Sequence, residues 1–162
     1  MASGKSTVGK ELASRLGWKF VDLDELVVHR SGLSISELFR RYGEGTFRQL
    51  ESSALVSTIE MNQVVIATGG GAPCYNENID VLSANGTSVF LKGAVDILVK
   101  RIHADTSVRP IVSAKNDEDL RAFIIEHLKG RMLYYEQADV TIDIDQSVGA
   151  IVDIILEQVD LA

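Results

Sequence analysis

Apolar positions along the chain recur with two periods, one typical of helices and one typical of strands. Val8, Leu12 and Leu16 are four residues apart and predict a helix over residues 6–16. Short apolar runs bounded by polar or glycine-rich segments predict strands at 19–23, 64–67, 88–91 and 140–144. Apolar stripes predict further helices at 34–42, 46–60, 95–103, 118–136 and 148–159.

The alternation of strands with helices indicates how the domain is built. It is typical of βαβ units and predicts an α/β fold, with three layers (α/β/α) around a mainly parallel sheet. The 162 residues fit a single domain over residues 1–162. Ligands of such sheets bind beyond the carboxyl ends of the strands, so we expect the functional residues in the loops after residues 20–21, after residue 67 and after the first strand.

The charge balance narrows the choice of partners. The chain has 16 basic and 23 acidic residues and a net charge of −7, which disfavours nucleic acids and anionic membranes. Cys74 is the only cysteine, and no apolar run approaches the ~18–20 residues of a membrane span. Without a recognisable signal peptide either, we expect a cytoplasmic protein. No coiled-coil pattern calls for a dimer, so we expect a monomer.

A short glycine-containing segment near the start resembles a phosphate-binding loop. Residues 3–7 (SGKST) match the end of the pattern G-x-x-x-x-G-K-[ST]. Gly4 would let backbone amides face phosphate oxygens, and the following helix would add the positive end of its dipole. Lys5 would neutralise the β- and γ-phosphates, and the Ser6 hydroxyl would bind Mg²⁺. The alternative is a chance match at a helix start, where serine is a common cap.

The sequence matches only the last part of the phosphate-loop pattern. The leading glycine and the buried strand that precedes it in such loops are not in the sequence. That strand is usually central in a doubly wound sheet, and two neighbouring strands would expose backbone donors without it. We therefore expect the native N-terminus to lie upstream of Met1, an internal methionine having been taken as the start. An in-frame stop codon directly before Met1 would contradict this expectation.

Two pairs of charged residues stand where a small substrate could bind. Asp22 and Asp24 are two residues apart at the predicted strand tip, where both would project on one side. Alternatively, they end the strand and cap a helix. Arg48 and Glu51 are one helical turn apart, so the carboxylate would orient the guanidinium, or the two form a weak surface pair.

Glycines and two further arginines complete the set of candidate residues. Gly69, Gly70 and Gly71 follow a buried strand, and their lack of side chains would let a substrate approach the backbone. The triplet could also be only a flexible turn. Arg109 lies in a polar segment and Arg131 precedes an aromatic pair; each alone would be interpreted as a solvated charge.

Together these segments resemble the shikimate kinase family, P-loop small-molecule kinases of aromatic amino-acid biosynthesis. The matching segments, in family order over residues 1–145, are MASGKSTVGKELA, FVDLDELV, SISELFRRYGEGTFRQLE, VVIATGGGAP, VRPIV and RMLYYEQADVTI. The chain looks most like the bacterial members. The resemblance implies a P-loop NTPase fold of the nucleoside-monophosphate-kinase type and ATP-dependent phosphorylation of the 3-hydroxyl of shikimate.

The resemblance also implies a nucleotide site. ATP would be bound by the phosphate loop, whose members are Ser3, Gly4, Lys5, Ser6 and Thr7. Mg²⁺ would be held by Ser6 and, through water, by Asp22. Lys5 and Arg109 would act in catalysis by neutralising charge, with Arg109 on a lid at about 105–116. Arg101 would pack on the adenine and contribute to ATP binding.

The acceptor site implied by the resemblance lies on helices at about 24–60 and on the loops beside them. Asp24 would contact the acceptor hydroxyl and is the candidate base. Arg48 and Arg131 would clamp the shikimate carboxylate, and residues 69–71 would contact the ring hydroxyls. One alternative is a gluconate-kinase-like enzyme, which the two arginines and the T-G-G-G segment disfavour. The other is a catalytically silent binding protein of the same fold.

Overall fold

The computed structural model describes residues 2–104 and 116–159. Arg109 and most of the predicted lid at 105–116 lie outside these residues. The helices are α1 (Lys5–Leu16), α2 (Leu23–Ser31), α3 (Ile35–Val56), α4 (Asn78–Asn85), α5 (Val95–Ala104), α6 (Asp117–Lys129), α7 (Met132–Tyr135) and α8 (Val148–Gln158). The strands are β1 (Lys19–Asp22), β2 (Val64–Ala67), β3 (Val89–Lys92) and β4 (Val140–Asp143).

All four predicted strands form within a residue or two of their predicted bounds. The predicted helices differ more from the observed ones. The predicted helices at 34–42 and 46–60 form one element, α3, which is kinked at Gly43 (φ 78°, ψ 172°). The predicted helix at 118–136 is interrupted around Gly130, a poor helix former, and continues as the single turn α7. The apolar pattern predicted neither α2 nor α4, although α2 lies within the helices at about 24–60 that the family resemblance implies.

The strands form two parallel pairs. β1 pairs with β2 in the register Lys19 to Val64, and β3 pairs with β4 in the register Val89 to Val140. Within the described part of the chain no strand joins the two pairs. The helices α5, α6 and α8 pack around the second pair, and α2 and α3 form a separate apolar cluster near the first. The architecture is the α/β fold that the alternation predicts.

A cavity of about 1020 Å³ separates the two strand pairs. All residues of β2 and β3 line it, whereas no residue of β1 or β4 does. Trp18, the only tryptophan, also lines the cavity, as does Ser3 of the phosphate loop. The cavity therefore lies along the free edges of β2 and β3.

None of the helices in the described ranges is both long and apolar enough to cross a membrane.

Candidate active site

The phosphate-loop segment folds as the start of α1. Gly4 precedes the helix with φ of 89°, a left-handed conformation that favours glycine, and its carbonyl accepts from the Val8 amide at 2.9 Å. Lys5 and Ser6 occupy the first turn of α1. The loop therefore ends at the amino terminus of a 12-residue helix, the end of the helix dipole that favours anions.

Asp22 connects this loop to the next helix. Its Oδ2 accepts from the Ser6 hydroxyl at 2.7 Å, and its Oδ1 accepts from the Asp24 amide at 3.0 Å. Asp22 is thus the N-cap of α2. The prediction that Asp22 and Asp24 project together from a strand tip is wrong, because the chain turns into α2 directly after Asp22 and Asp24 lies in the first helical turn.

Arg101 links two parts of the fold through main-chain carbonyls. Its Nη1 donates to the Ser3 carbonyl at 3.1 Å, and its Nη2 donates to the Ile144 carbonyl, just after β4, at 2.7 Å. A Cβ at Gly4 would stand 3.4 Å from the same Nη1. The guanidinium therefore lies against the phosphate loop, and its in-plane donors bind protein backbone.

Arg48 is held by two carboxylates and by aromatic rings. Its Nη1 donates to Glu51 at 2.6 Å and its Nη2 donates to Glu44 at 3.0 Å, on either side of it along α3. The guanidinium carbon lies 4.3 Å from the ring centroid of Tyr75 and 5.1 Å from that of Phe47. Only 11% of the Arg48 side chain is exposed. The alternative of a weak surface pair with Glu51 is therefore wrong.

Glu51 is the most deeply buried charged group at this site, with 1% exposure. Burial raises the pKa of the Glu51 carboxyl above its usual value, while Arg48 and Arg131 act to lower it. A buried carboxyl of this kind holds Arg48 in one orientation and balances part of its charge. Both terminal nitrogens of Arg48 also lie against the glycine loop, since a Cβ at Gly71 would stand 2.6 Å from each.

The glycine triplet approaches these charged groups closely. A Cβ at Gly69 would stand 2.8 Å from Glu51 Oε1 and 3.2 Å from Asp24 Oδ1. A Cβ at Gly71 would stand 2.6 Å from both terminal nitrogens of Arg48. Real Cβ contacts are not this short, so only glycine fits at either position without displacing a charged side chain. The interpretation of the triplet as only a flexible turn is therefore wrong.

Tyr135 connects the glycine loop to Arg131. The phenol of Tyr135 donates a hydrogen bond to the Gly70 carbonyl. Burial raises the pKa of this phenol, and Arg131 lies close enough to bond its oxygen. Arg131 is the N-cap residue of α7 and is near enough to Glu51 to lower the pKa of that carboxyl, against the effect of burial. The second predicted arginine thus reaches the same site from a different part of the chain.

The structure brings the predicted residues into one continuous row, with the exception of Arg109. From the phosphate loop the row runs through Asp22 and Asp24 to the glycine loop and then to the two arginines. Tyr75, Tyr135 and Glu44 contact the row but were not predicted. Of these three, only Tyr135 could have been found from the sequence, because it belongs to the family-like segment that follows Arg131. An aromatic residue shortly after a glycine loop, such as Tyr75, does not by itself predict a contact.

The comparisons with known proteins agree on one family. The family model described as shikimate kinase matches residues 1–160. A shikimate kinase of Parabacteroides distasonis is 41% identical over 146 residues, which are 90% of this chain and 84% of that protein. The chain belongs to the shikimate kinase family. It is accordingly an ATP-dependent enzyme that phosphorylates shikimate in aromatic amino-acid biosynthesis.

Solved structures of shikimate kinases have the same fold. The crystal structure from Bacteroides thetaiotaomicron has a TM-score of 0.93 at 36% identity and covers 97% of this chain and 92% of its own. The enzyme from Acinetobacter baumannii, solved in complex with shikimate, has a TM-score of 0.83 at 32% identity and covers 97% and 87%. A gluconokinase from Sinorhizobium meliloti, 19% identical with a TM-score of 0.53, shares the fold alone.

The contact between Gly71 and Arg48 yields the first mutational prediction. Gly71→Ala would push the guanidinium out of its position, because the new methyl group would stand 2.6 Å from its nitrogens. Losing one charged hydrogen bond costs about 1.5–3 kcal/mol, so we expect shikimate to bind roughly 10- to 100-fold more weakly in calorimetry.

Gly45→Ala is the matched control. Gly45 lies on α3 next to Glu44, which accepts from Arg48, and a Cβ there meets nothing within 4 Å. We expect unchanged shikimate affinity for this variant. Equal affinities of the two variants would show that Gly71 does not set the position of Arg48.

Proposed function

We propose that the chain transfers the γ-phosphoryl group of ATP to the 3-hydroxyl of shikimate, with Mg²⁺ as cofactor and the residue roles given below. The hydroxyl oxygen forms the new bond to phosphorus, the bond from phosphorus to the β-phosphate oxygen breaks, and ADP leaves with that electron pair. The observation that carries the proposal is the continuous row from Ser6 through Asp22 and Asp24 to Arg48, which joins an anion-binding helix end to a carboxylate-binding arginine.

The nucleotide binds at the amino end of α1. Residues 3–7 supply main-chain amides, and Lys5 supplies positive charge to the β- and γ-phosphates. Arg101 donates in-plane hydrogen bonds to the carbonyls of Ser3 and Ile144. An adenine would therefore stack on a flat face of its guanidinium. Arg109 completes charge neutralisation from the segment at 105–115.

The chemistry of Ser6 and Asp22 fits a magnesium ion. Mg²⁺ in kinases is bound by one or two protein oxygens together with waters and substrate phosphates. Ser6 Oγ and Asp22 Oδ2 lie 2.7 Å apart beside the phosphate loop, so one hydroxyl and one carboxylate face the same position. When bound, the ion offsets negative charge on the transferring group. Ser6 would ligate it directly and Asp22 through water.

The acceptor binds between the two arginines and the glycine loop. Shikimate carries one carboxylate, and Arg48 with Arg131 would hold it by paired charged hydrogen bonds. The backbone of residues 69–71 would contact the ring hydroxyls, because glycines add no side chains of their own that would keep a substrate away. Asp24, 3.2 Å from the position of a Gly69 Cβ, is the carboxylate that receives the hydroxyl proton.

The test is release of ADP by this chain with Mg·ATP, measured with shikimate, with gluconate and with no acceptor. Release with shikimate alone is expected. Release with gluconate and not with shikimate would overturn the proposal in favour of the gluconate-kinase alternative. Shikimate binding without turnover in any condition would favour a silent binding protein.

Removing the charge of Asp22 is expected to weaken the magnesium site. Asn also caps helices, so Asp22→Asn keeps the cap of α2 and changes the carboxylate alone. Loss of such an outer ligand typically costs 10- to 100-fold in metal affinity. We expect the Mg²⁺ concentration for half-maximal activity to rise about tenfold or more at an unchanged melting temperature.

Asp139→Asn is the control for this variant. Asp139 also accepts from a serine hydroxyl and a main-chain amide, both of Ser88 at 2.7 Å, but at the amino ends of β3 and β4. Its Mg²⁺ requirement should equal that of the unmodified chain. A rise of the same size in both variants would contradict a specific role of Asp22.

We also propose that the protein acts as a single-domain monomer in the cytoplasm. The acidic net charge of −7 and the single cysteine support this. Light scattering of the purified chain checks the oligomeric state.

A further inference from the structure

Tyr75 lies against Arg48 from outside the helix that carries it. The two carboxylates that accept from the guanidinium, those of Glu44 and Glu51, belong to α3 itself. Tyr75 follows the glycine loop, and the guanidinium carbon of Arg48 stands over its ring, 4.3 Å from the centroid. The face of an aromatic ring attracts a cation at such a distance. The ring therefore holds the guanidinium from a second segment of the chain.

The ring also shields the guanidinium from water. Tyr75 is 38% exposed, whereas only 11% of the Arg48 side chain is. A partly exposed ring that packs on a nearly buried cation removes solvent from that side of the cation. Loss of water strengthens the attraction to the ring and also the bonds that the cation makes to a carboxylate. Tyr75 therefore strengthens anion binding by Arg48 without contact to the anion.

Asn76, the next residue, fastens the ring to the helix. Its Nδ2 donates to the Arg48 carbonyl at 3.1 Å and to the Ser52 hydroxyl oxygen at 2.9 Å. The Ser52 hydroxyl donates to the same carbonyl at 2.9 Å. The side chain next to the ring is thus bonded to the main chain of the residue whose guanidinium the ring contacts. These bonds limit how far the ring can move from the guanidinium.

The backbone beside the ring has a conformation that needs such bonds. Asn76 has a φ of 51° and Glu77 a φ of 56°, both in the left-handed region. Asparagine tolerates this region but glutamate rarely adopts it, so such a backbone persists only where its surroundings hold it. Here the buried Asn78 donates its main-chain amide to the Tyr75 carbonyl at 3.0 Å and its side-chain amide to the Ala72 carbonyl at 2.8 Å. The segment is therefore held to α3 by Asn76 and within itself by Asn78.

We propose that Tyr75 is a positioning residue for the acceptor and that Asn76 is its anchor. The ring holds the Arg48 guanidinium in the orientation that receives the shikimate carboxylate, and Asn76 holds the ring. Neither residue takes part in phosphoryl transfer, so their effect is confined to acceptor binding. The inference rests on the proposed role of Arg48 in binding that carboxylate.

Tyr75→Leu removes the ring and leaves a bulky apolar side chain. We expect the dissociation constant of shikimate in calorimetry, and its KM, to rise roughly 3- to 30-fold, the effect of losing a largely desolvated contact between ring and cation. The turnover number and the KM for ATP should stay within about twofold. Tyr75→Phe keeps the ring, so its shikimate values should lie within about twofold of those of the unmodified chain. Equal losses in the leucine and phenylalanine variants would overturn the role of the ring.

Asn76→Gly tests the anchor. Glycine adopts the same φ without strain but has no side-chain amide, so the bonds to α3 are lost while the loop conformation stays accessible. We expect shikimate to bind about 3- to 10-fold more weakly, the usual cost of a lost hydrogen bond, at an unchanged turnover number. The double variant with Tyr75→Leu should bind shikimate as Tyr75→Leu alone does, because both changes act through one contact. Additive losses would overturn the anchoring role.

Tyr42→Leu is the matched control. Tyr42 lies on α3, is more exposed than Tyr75, and accepts from the Thr46 hydroxyl through its main-chain carbonyl, which the substitution keeps. We expect unchanged shikimate affinity for this variant. Equal losses in Tyr42→Leu and Tyr75→Leu would overturn a specific role of Tyr75.

Arg48→Lys separates this inference from the proposed function. Lysine has no planar guanidinium for the ring to orient, so adding Tyr75→Leu to Arg48→Lys should weaken shikimate binding less than it does in the unmodified chain. Equal losses in both backgrounds would overturn action through Arg48. If Arg48→Lys weakens binding and Tyr75→Leu does not, the inference fails and the proposed role of Arg48 stands. Shikimate binding that follows these expectations without ADP release would support the inference and contradict the proposed function.

Discussion

Asp24→Asn is expected to lower the turnover number by about 10²- to 10⁴-fold, the usual contribution of a positioned general base. The substitution preserves the size and shape of the side chain and removes its charge and basicity. Asp24 lies in the first turn of α2, next to the position of a Gly69 Cβ, and its bond to Asp22 is made by the main-chain amide, which the substitution leaves in place. ATP affinity measured by calorimetry should therefore change little.

The structure offers a neighbour as the control. Glu25 occupies the same first turn of α2 and is also exposed, so Glu25→Gln removes an equal charge from the same helix end. We expect near-normal turnover for this variant. If both substitutions reduce turnover equally, the effect belongs to the helix end; if neither does, Asp24 does not receive the proton.

Arg48→Lys is expected to raise the dissociation constant of shikimate by roughly 10- to 100-fold. Lysine keeps the charge but lacks the planar fork that binds a carboxylate through two donors, and it cannot stack on Tyr75 in the same way. Glu51, with 1% exposure, would also lose the donor 2.6 Å away that offsets its burial. Loss of a charged hydrogen bond to a buried group costs about 1.5–3 kcal/mol.

Arg41→Lys serves as the comparison on the same helix. Arg41 pairs with Glu37 at 3.2 Å, but its side chain is 49% exposed, so the exchange should alter stability and shikimate affinity very little. Calorimetric titration with shikimate and thermal melting of both variants check this. Unchanged shikimate binding by Arg48→Lys would remove Arg48 from the acceptor site.

The sequence predicts best those elements that one local feature marks, such as a short apolar run between turn residues. The strands around Val64 and Val140 are short apolar runs between turn residues, and the structure forms both. The apolar pattern missed α2, and its first residue, Leu23, was assigned to the end of the preceding strand. The pattern Asp22, Leu23, Asp24, Glu25 contains a cap and acidic first-turn residues, which do predict a helix start.

The sequence pointed to most of the charged residues at the candidate site, but it pointed neither to Glu44 nor to the aromatic residues. Arg48 could be found from its spacing to Glu51, because one helical turn is a local relation. The contacts of Tyr75 with Arg48 and of Tyr135 with Gly70 join segments 27 and 65 residues apart, and no local spacing reports them. Such contacts depend on how the loops fold back over α3, which periodicity does not specify.

Asp22 places a constraint on how this protein could change over evolution. One carboxylate caps a helix, ends a strand and orients the hydroxyl of Ser6. Most substitutions there would therefore lower both the yield of folded protein and the activity per molecule. Selection could not improve one of these two properties at the expense of the other at this position. Asparagine, which caps helices but carries no charge, would separate the two effects and is the replacement that keeps the fold while removing the carboxylate.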